Sequence, residues 1–220
     1  MNSFFRLNRR HCSALLLTCT LGLAGLASAA APTPPVVLVV GDSLSAEYGL
    51  RRGSGWVALL QERLNREKVQ ARVVNASVSG DTTSGGRSRL PALLRQHRPA
   101  VVIIELGGND ALRGLPMATT RDNLSTMVQA SGGAGARVVL LGMEMPPNYG
   151  ARYAQEFRDV FTTVAKQGKA ALVPFFLKGV ADLPDPTKLF QNDRIHPNEE
   201  AQPLMLDNVW PALRPLIAKR

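Results

Sequence analysis

The chain has 220 residues, 45% of them hydrophobic and 20% charged, which excludes a disordered chain and points to one domain with a substantial core. Its 26 Lys and Arg outnumber 17 Asp and Glu, for a formal charge of +9. The basic residues are scattered, without a dense run or interleaved aromatics, so nucleic acid is not expected as a partner.

The first 29 residues have the layout of a cleavable secretory signal. Arg6, Arg9 and Arg10 precede an apolar run over 14–27 that closes on Ala27-Ser28-Ala29. Ala29-Ala30-Ala31 offers a second cleavage position two residues further on. A membrane anchor is the competing reading, against which the run is short and interrupted by Gly22 and Gly25. Cleavage leaves a domain over 30–220 with 23 basic and 17 acidic residues, hence +6. Both cysteines, Cys12 and Cys19, go with the leader, so neither a disulfide nor a thiol nucleophile is expected. The mature protein is expected in the periplasm or outside the cell.

Five apolar runs follow, at 36–40, 71–76, 101–106, 137–142 and 170–176. They are rich in Val, Ile and Leu without alternation, as strands covered on both faces are. Between them lie stretches with helical spacing at 56–64, 87–96, 119–130, 152–166 and 200–216. In the first, Trp56, Leu59, Leu60 and Leu64 share one face. Pro91, Pro203 and Pro211 blur some of the boundaries. This alternation predicts an α/β domain of three layers, a five-stranded parallel sheet with helices on both faces.

Ligands of such sheets sit beyond the carboxyl ends of the strands, so the residues after each strand matter most. After the first comes Gly41-Asp42-Ser43-Leu44-Ser45, with Ser43 expected at a helix start. After the second comes Ser77-Val78-Ser79-Gly80-Asp81-Thr82, and after the third Gly107-Gly108-Asn109-Asp110. The loop after the fifth leads to Asp193-Arg194-Ile195-His196-Pro197. A serine attacks a carbonyl only if a base takes its proton and an acceptor fixes the base's tautomer. His11 belongs to the leader and His97 falls at the other end of the third strand, which leaves His196. Asp193, three residues earlier, is within reach of one ring nitrogen. Ser43, His196 and Asp193 therefore form the expected catalytic triad. The order serine, aspartate, histidine is shared with hydrolases that carry a Gly-x-Ser-x-Gly elbow, but the surroundings of Ser43 are not of that type. The backbone N–H groups of Ser43 and Gly80 and the side-chain amide of Asn109 are the expected oxyanion donors.

In order, these four blocks resemble those of the SGNH (GDSL) hydrolases. The stretches at 74–82, 89–94, 105–110 and 146–150 are similar to the bacterial periplasmic thioesterase I, lysophospholipase and arylesterase branch. The resemblance covers nearly all of the mature chain. It implies a flavodoxin-like sheet in the order 2-1-3-4-5 and hydrolysis of acyl esters and thioesters without metal or other cofactor. It also implies that Ser43 is the nucleophile, His196 the base, Asp193 its orienting partner, and Gly80 and Asn109 oxyanion donors. Arg194 departs from the pattern, because the branch usually has glycine there.

The remaining residues of these blocks have structural readings. Asp42 is read as a turn or helix-start acceptor, Ser45 as a first-turn residue and Asp110 as a holder of its own loop. Glu105 lacks a partner that the sequence can name. Leu112, Leu115, Met145, Pro146 and Tyr149 either line an acyl groove beside Ser43 or simply pack their loops. The expected partner is a small acyl ester or thioester, with transient contact to membrane lipid, and the protein is expected to act as a monomer. Two rivals are a carbohydrate deacetylase of the same superfamily and a phosphate-binding module built on the loop from Gly80 to Arg89.

Overall fold

The computed structural model describes residue 1 and residues 33–218. The signal segment, with both cysteines and His11, lies outside the described residues. The sheet is built from β1 (Val36–Gly41), β2 (Arg72–Asn75), β3 (Val101–Glu105), β4 (Arg137–Leu141) and β5 (Ala171–Val173). Its order is β2-β1-β3-β4-β5 and each pairing is parallel, as the resemblance implied. The register sets Val37 against Val101 and Gly41 against Glu105, so the two central strands end side by side.

Among the described residues, six α-helices connect and flank the strands: α1 (Trp56–Arg66), α2 (Thr83–His97), α3 (Gly108–Leu112), α4 (Met117–Gly133), α5 (Ala151–Gly168) and α6 (Gln202–Ala218). Of these, α1 packs on α6, while α2, α4 and α5 form a second packed row. Every residue of β1 and β3 is buried between them. On α1 the residues Trp56, Leu60 and Leu64 are fully buried, each contributing about 1.5–3 kcal/mol by removal from water. Trp56 meets Phe176 edge-on with centroids 5.4 Å apart. Leu59, expected on the same stripe, is only half-buried.

The departures from the sequence reading have physical causes. β2 is an edge strand with no fully buried residue, not one covered on both faces. β5 stops at Val173, because Pro174 has no N–H to give the ladder. α2 begins at Thr83 rather than at 87. The Thr82 hydroxyl caps it by accepting from the Gly85 N–H, and Asp110 takes the Thr83 N–H. Gly85 and Gly86, poor helix formers that read as loop, lie inside that first turn. A Cβ on Gly86 would come within 2.3 Å of Leu106, so the glycine lets α2 approach the end of β3. α6 runs through Pro211 and Pro215. Each deletes a helical hydrogen bond, and the buried row Met205, Val209 and Leu213 holds the helix against the sheet.

Candidate active site

Five loops leave the carboxyl edge of the sheet, and the predicted blocks lie on them. β1 ends at Gly41 because the next turn passes tightly beneath it. A Cβ there would sit 2.7 Å from Glu105 Oε2 and 2.8 Å from Ser45 Oγ. The chain then enters a run of turns over 43–49, in which Asp42 C=O accepts from Ser45 and Ala46. Ser43 thus stands in a turn rather than at the start of a regular helix.

His196 bridges the two ends of the chain. Its Nε2 lies 2.9 Å from Ser43 Oγ and its Nδ1 lies 2.7 Å from Asp193 Oδ2. The other carboxylate oxygen, Asp193 Oδ1, accepts the backbone N–H groups of Ile195 at 2.9 Å and His196 at 3.0 Å. The bond to His196, joined by these two, holds the Asp193 carboxyl down at about 2. With Nδ1 donating to a carboxylate, Nε2 is left free of its proton and faces the serine. His196 is therefore in contact with both other expected triad residues, Ser43 and Asp193.

The expected oxyanion donors lie on the segments that follow β1, β2 and β3. Among the described residues, the backbone N–H groups of Ser43 and Gly80 donate no hydrogen bond within the protein. Asn109 is engaged: its Nδ2 donates to Asp42 Oδ2 at 2.9 Å and to Asp81 C=O at 3.0 Å. Arg113 donates to Gly80 C=O at 2.9 Å. The stretch around Asn109 is the short helix α3, which the sequence reading had as a plain loop. Asp110 does hold its surroundings, accepting from the Thr83 N–H and from the hydroxyls of Thr83 and Thr120.

Glu105 has the partners that the sequence could not name. Its Oε2 accepts from the Asp42 N–H at 3.2 Å and from the Ser45 hydroxyl at 2.8 Å. Ser45 in turn accepts from Trp56 Nε1 at 3.2 Å, so it is a buried link and not a helix-start residue. Asp42 is a turn acceptor as expected, taking the Leu44 N–H at 3.1 Å. Burial pushes Asp42 up to about 6, against the lowering pull of Leu44, Asn109 and His196. Glu105 is pushed well above the carboxylate range, by burial first and the Asp42 charge second. Burial and the Asp42 charge thus both favour the protonated form of Glu105.

This pair has a measurable consequence. Asp42 titrates near 6 when folded against 3.8 as an ordinary aspartate. The pH-dependent part of its burial cost is therefore absent well below pH 3.8 and grows to about 3 kcal/mol as pH rises through 6. Asp42→Asn should unfold at higher denaturant than the parent at pH 8, with the gain gone at pH 4. It should also be a slower enzyme, because Asn109 loses its charged acceptor. Equal denaturation midpoints at pH 8 would contradict this.

Other site residues escaped the sequence reading. The Tyr48 ring lies 4.4 Å from the His196 ring. Gln191 donates to the carbonyls of Tyr48 and Pro197, tying the nucleophile loop to the histidine loop. Arg194 adopts a left-handed φ of 57°, which gives the usual glycine at that position its physical reason. That strain is worth roughly 1–2 kcal/mol, partly offset by about 0.5–1 kcal/mol of glycine's backbone entropy. Arg194→Gly should therefore raise the melting temperature by about 1–4 °C in a domain of this size, with ester hydrolysis within twofold of the parent. A lower melting temperature would contradict it.

Of the groove candidates, Leu112, Pro146 and Tyr149 are exposed and Leu115 is half-buried, whereas Met145 is buried in the core. An open hollow of about 660 Å³ is lined by Arg51, Arg52, Glu62, Glu199 and Glu200, and no triad residue lines it. The triad instead opens on the rim of the sheet. Among the described residues no group of three or more His, Cys, Asp or Glu gathers as metal ligands would.

Residues 39–203 match the model of the GDSL-like lipase/acylhydrolase family. The chain is 53% identical to the esterase TesA of Pseudomonas aeruginosa, over 93% of this chain and 99% of that one. It is 41% identical to the thioesterase 1/protease 1/lysophospholipase L1 of Escherichia coli, over 82% and 84%. Among solved structures it superposes on the psychrotrophic esterase EstA from Pseudoalteromonas, inhibited by monoethylphosphonate, with a TM-score of 0.77. There the identity is 41%, over 84% of this chain and 99% of that one.

Proposed function

The chain belongs to the GDSL-like lipase/acylhydrolase family and is a hydrolase of carboxylic esters and thioesters, and we propose that Ser43, His196 and Asp193 carry its chemistry. The observation that supports this most is the unbroken relay from Asp193 through His196 to Ser43, at 2.7 and 2.9 Å. His196 Nε2 takes the Ser43 proton as Oγ attacks the acyl carbonyl, whose electron pair moves onto oxygen. That oxyanion sits against the N–H groups of Ser43 and Gly80, and Asn109 shares one of its amide hydrogens with it. The imidazolium then gives its proton to the departing oxygen or sulfur. An acyl-enzyme remains, and water repeats the sequence. Asp193 stays ionised throughout and neutralises the imidazolium.

The acyl chain lies over the open rim. The segments that follow the five strands carry the exposed apolar side chains Tyr48, Val78, Leu112, Tyr149 and Ile195, and Leu183 is also exposed after β5. Leu115 and Pro146 extend that surface. The same rim supports transient contact with membrane lipid. Acyl-CoA is cytoplasmic, so for a periplasmic or secreted enzyme lysophospholipids and other exogenous esters are the substrates in the cell. A series of p-nitrophenyl esters and matching thioesters from two to sixteen acyl carbons tests this on the mature protein. We expect kcat/KM to rise by tenfold or more from acetyl to medium chains. A preference for acetylated sugars over every longer ester would overturn it in favour of a deacetylase.

A further inference from the structure

Arg89 lies on α2, outside every block that the mechanism uses, and its side chain is three-quarters shielded from solvent. None of its acceptors belongs to its own helix. Nε donates to Asp81 Oδ2 at 2.8 Å, Nη1 donates to Ala76 C=O, and Nη2 donates to Gly41 C=O at 3.2 Å. These three acceptors lie on different parts of the rim. Gly41 closes β1 two residues before Ser43, Ala76 follows β2, and Asp81 follows Gly80. Asp81 also offers its carbonyl to the Asn109 amide at 3.0 Å. One planar fork thus touches the supports of Ser43, Gly80 and Asn109 together.

We propose that Arg89 is a positioning residue of the oxyanion hole, holding the Ser43, Gly80 and Asn109 donors in one fixed relation. The proposal rests on the reading of those three groups as the hole. Oxyanion donors act only when aimed at the place where charge develops, and misplacement by about 1 Å can cost 10²-fold in rate. Lysine cannot replace the fork, because its ammonium is a single point that cannot span three diverging acceptors.

The test compares Arg89→Met, Arg89→Lys, Asp81→Asn and the double variant Arg89→Met/Asp81→Asn with the parent, on a short p-nitrophenyl ester. Arg87→Met is the control, since Arg87 leaves the same helix toward Asn123 instead. Arg89→Met is expected to lose between about 10- and 100-fold in kcat with KM within about threefold. Phosphonylation of Ser43 should slow in parallel, because it builds up charge in the same hole. Arg89→Lys should fall between Met and the parent, which keeps the test decisive if the methionine variant does not fold. The double variant should be no slower than the slower single one. Arg87→Met should keep its kcat. Unchanged kcat in folded Arg89→Met, or a loss confined to KM, would overturn the proposal. Asn109→Ala distinguishes the oxyanion hole from the tie that holds it: undiminished kcat there would remove the oxyanion-hole reading itself. A loss of 10²-fold or more in Asn109→Ala beside none in Arg89→Met would remove only the tie.

Discussion

Ser43→Ala is expected to lower kcat/KM for a short aryl ester by at least about 10⁴-fold, the scale on which triad nucleophiles act as a unit with their base. Without Oγ there is no acyl-enzyme, and His196 can at most deliver a water from an unprepared position. The fold should be indifferent to the change, because the Ser43 side chain lies on the rim and its bond to His196 at 2.9 Å is its contribution to structure. Circular dichroism and the melting temperature should match the parent while hydrolysis is lost. Activity within tenfold of the parent would remove Ser43 from the mechanism.

Asp193→Asn is expected to cost about 10³-fold in kcat with little change in KM. The asparagine can present N–H instead of a lone pair to Nδ1, which inverts the tautomer and puts a proton on Nε2 where Ser43 needs a base. The Asp193 side chain is 36% exposed, so water can restore part of the acceptor. The loss should therefore fall below the roughly 10⁴-fold known for a fully buried triad aspartate. The pH dependence has a definite sign. Asp193 is held at about 2, below the ordinary 3.8. Its bonds are thus fully formed above 3.8 and weaken only as pH falls toward 2. Any fall in parent activity between pH 7 and pH 4 then belongs to another group. A steady-state pH profile of both proteins checks this. A variant as fast as the parent, or slowed only in KM, would show that the carboxylate does not orient His196.

Local patterns carried the sequence reading as far as their physics reaches. β1 and β3 were legible because strands buried on both faces are written as unbroken Val and Ile runs. The edge strand β2 and the truncated β5 were read less well, since neighbours and Pro174 decide their limits. The start of α2 was hidden by two glycines whose purpose is a close approach to Leu106, a contact with another element. The triad could be inferred because Asp193 and His196 lie three residues apart and strand topology brings Ser43 to them. Asp42 with Glu105 and Arg89 with Gly41 could not be paired, because their partners lie 63 and 48 residues away. Register across a sheet, not spacing along a chain, makes those contacts. Arg194 was noticed as a departure, but its left-handed backbone emerged only from the structure.

Everything proposed for the site depends on one activated hydroxyl, and mass spectrometry after treatment with an aryl phosphonate reads it directly. The parent should gain a single phosphonyl group, on the peptide that contains Ser43, with hydrolysis lost in proportion to labelling. His196→Ala should label at least about 10³-fold more slowly. Labelling at Ser45, Ser77 or Ser79 instead, or full activity in a protein already labelled at Ser43, would contradict the account.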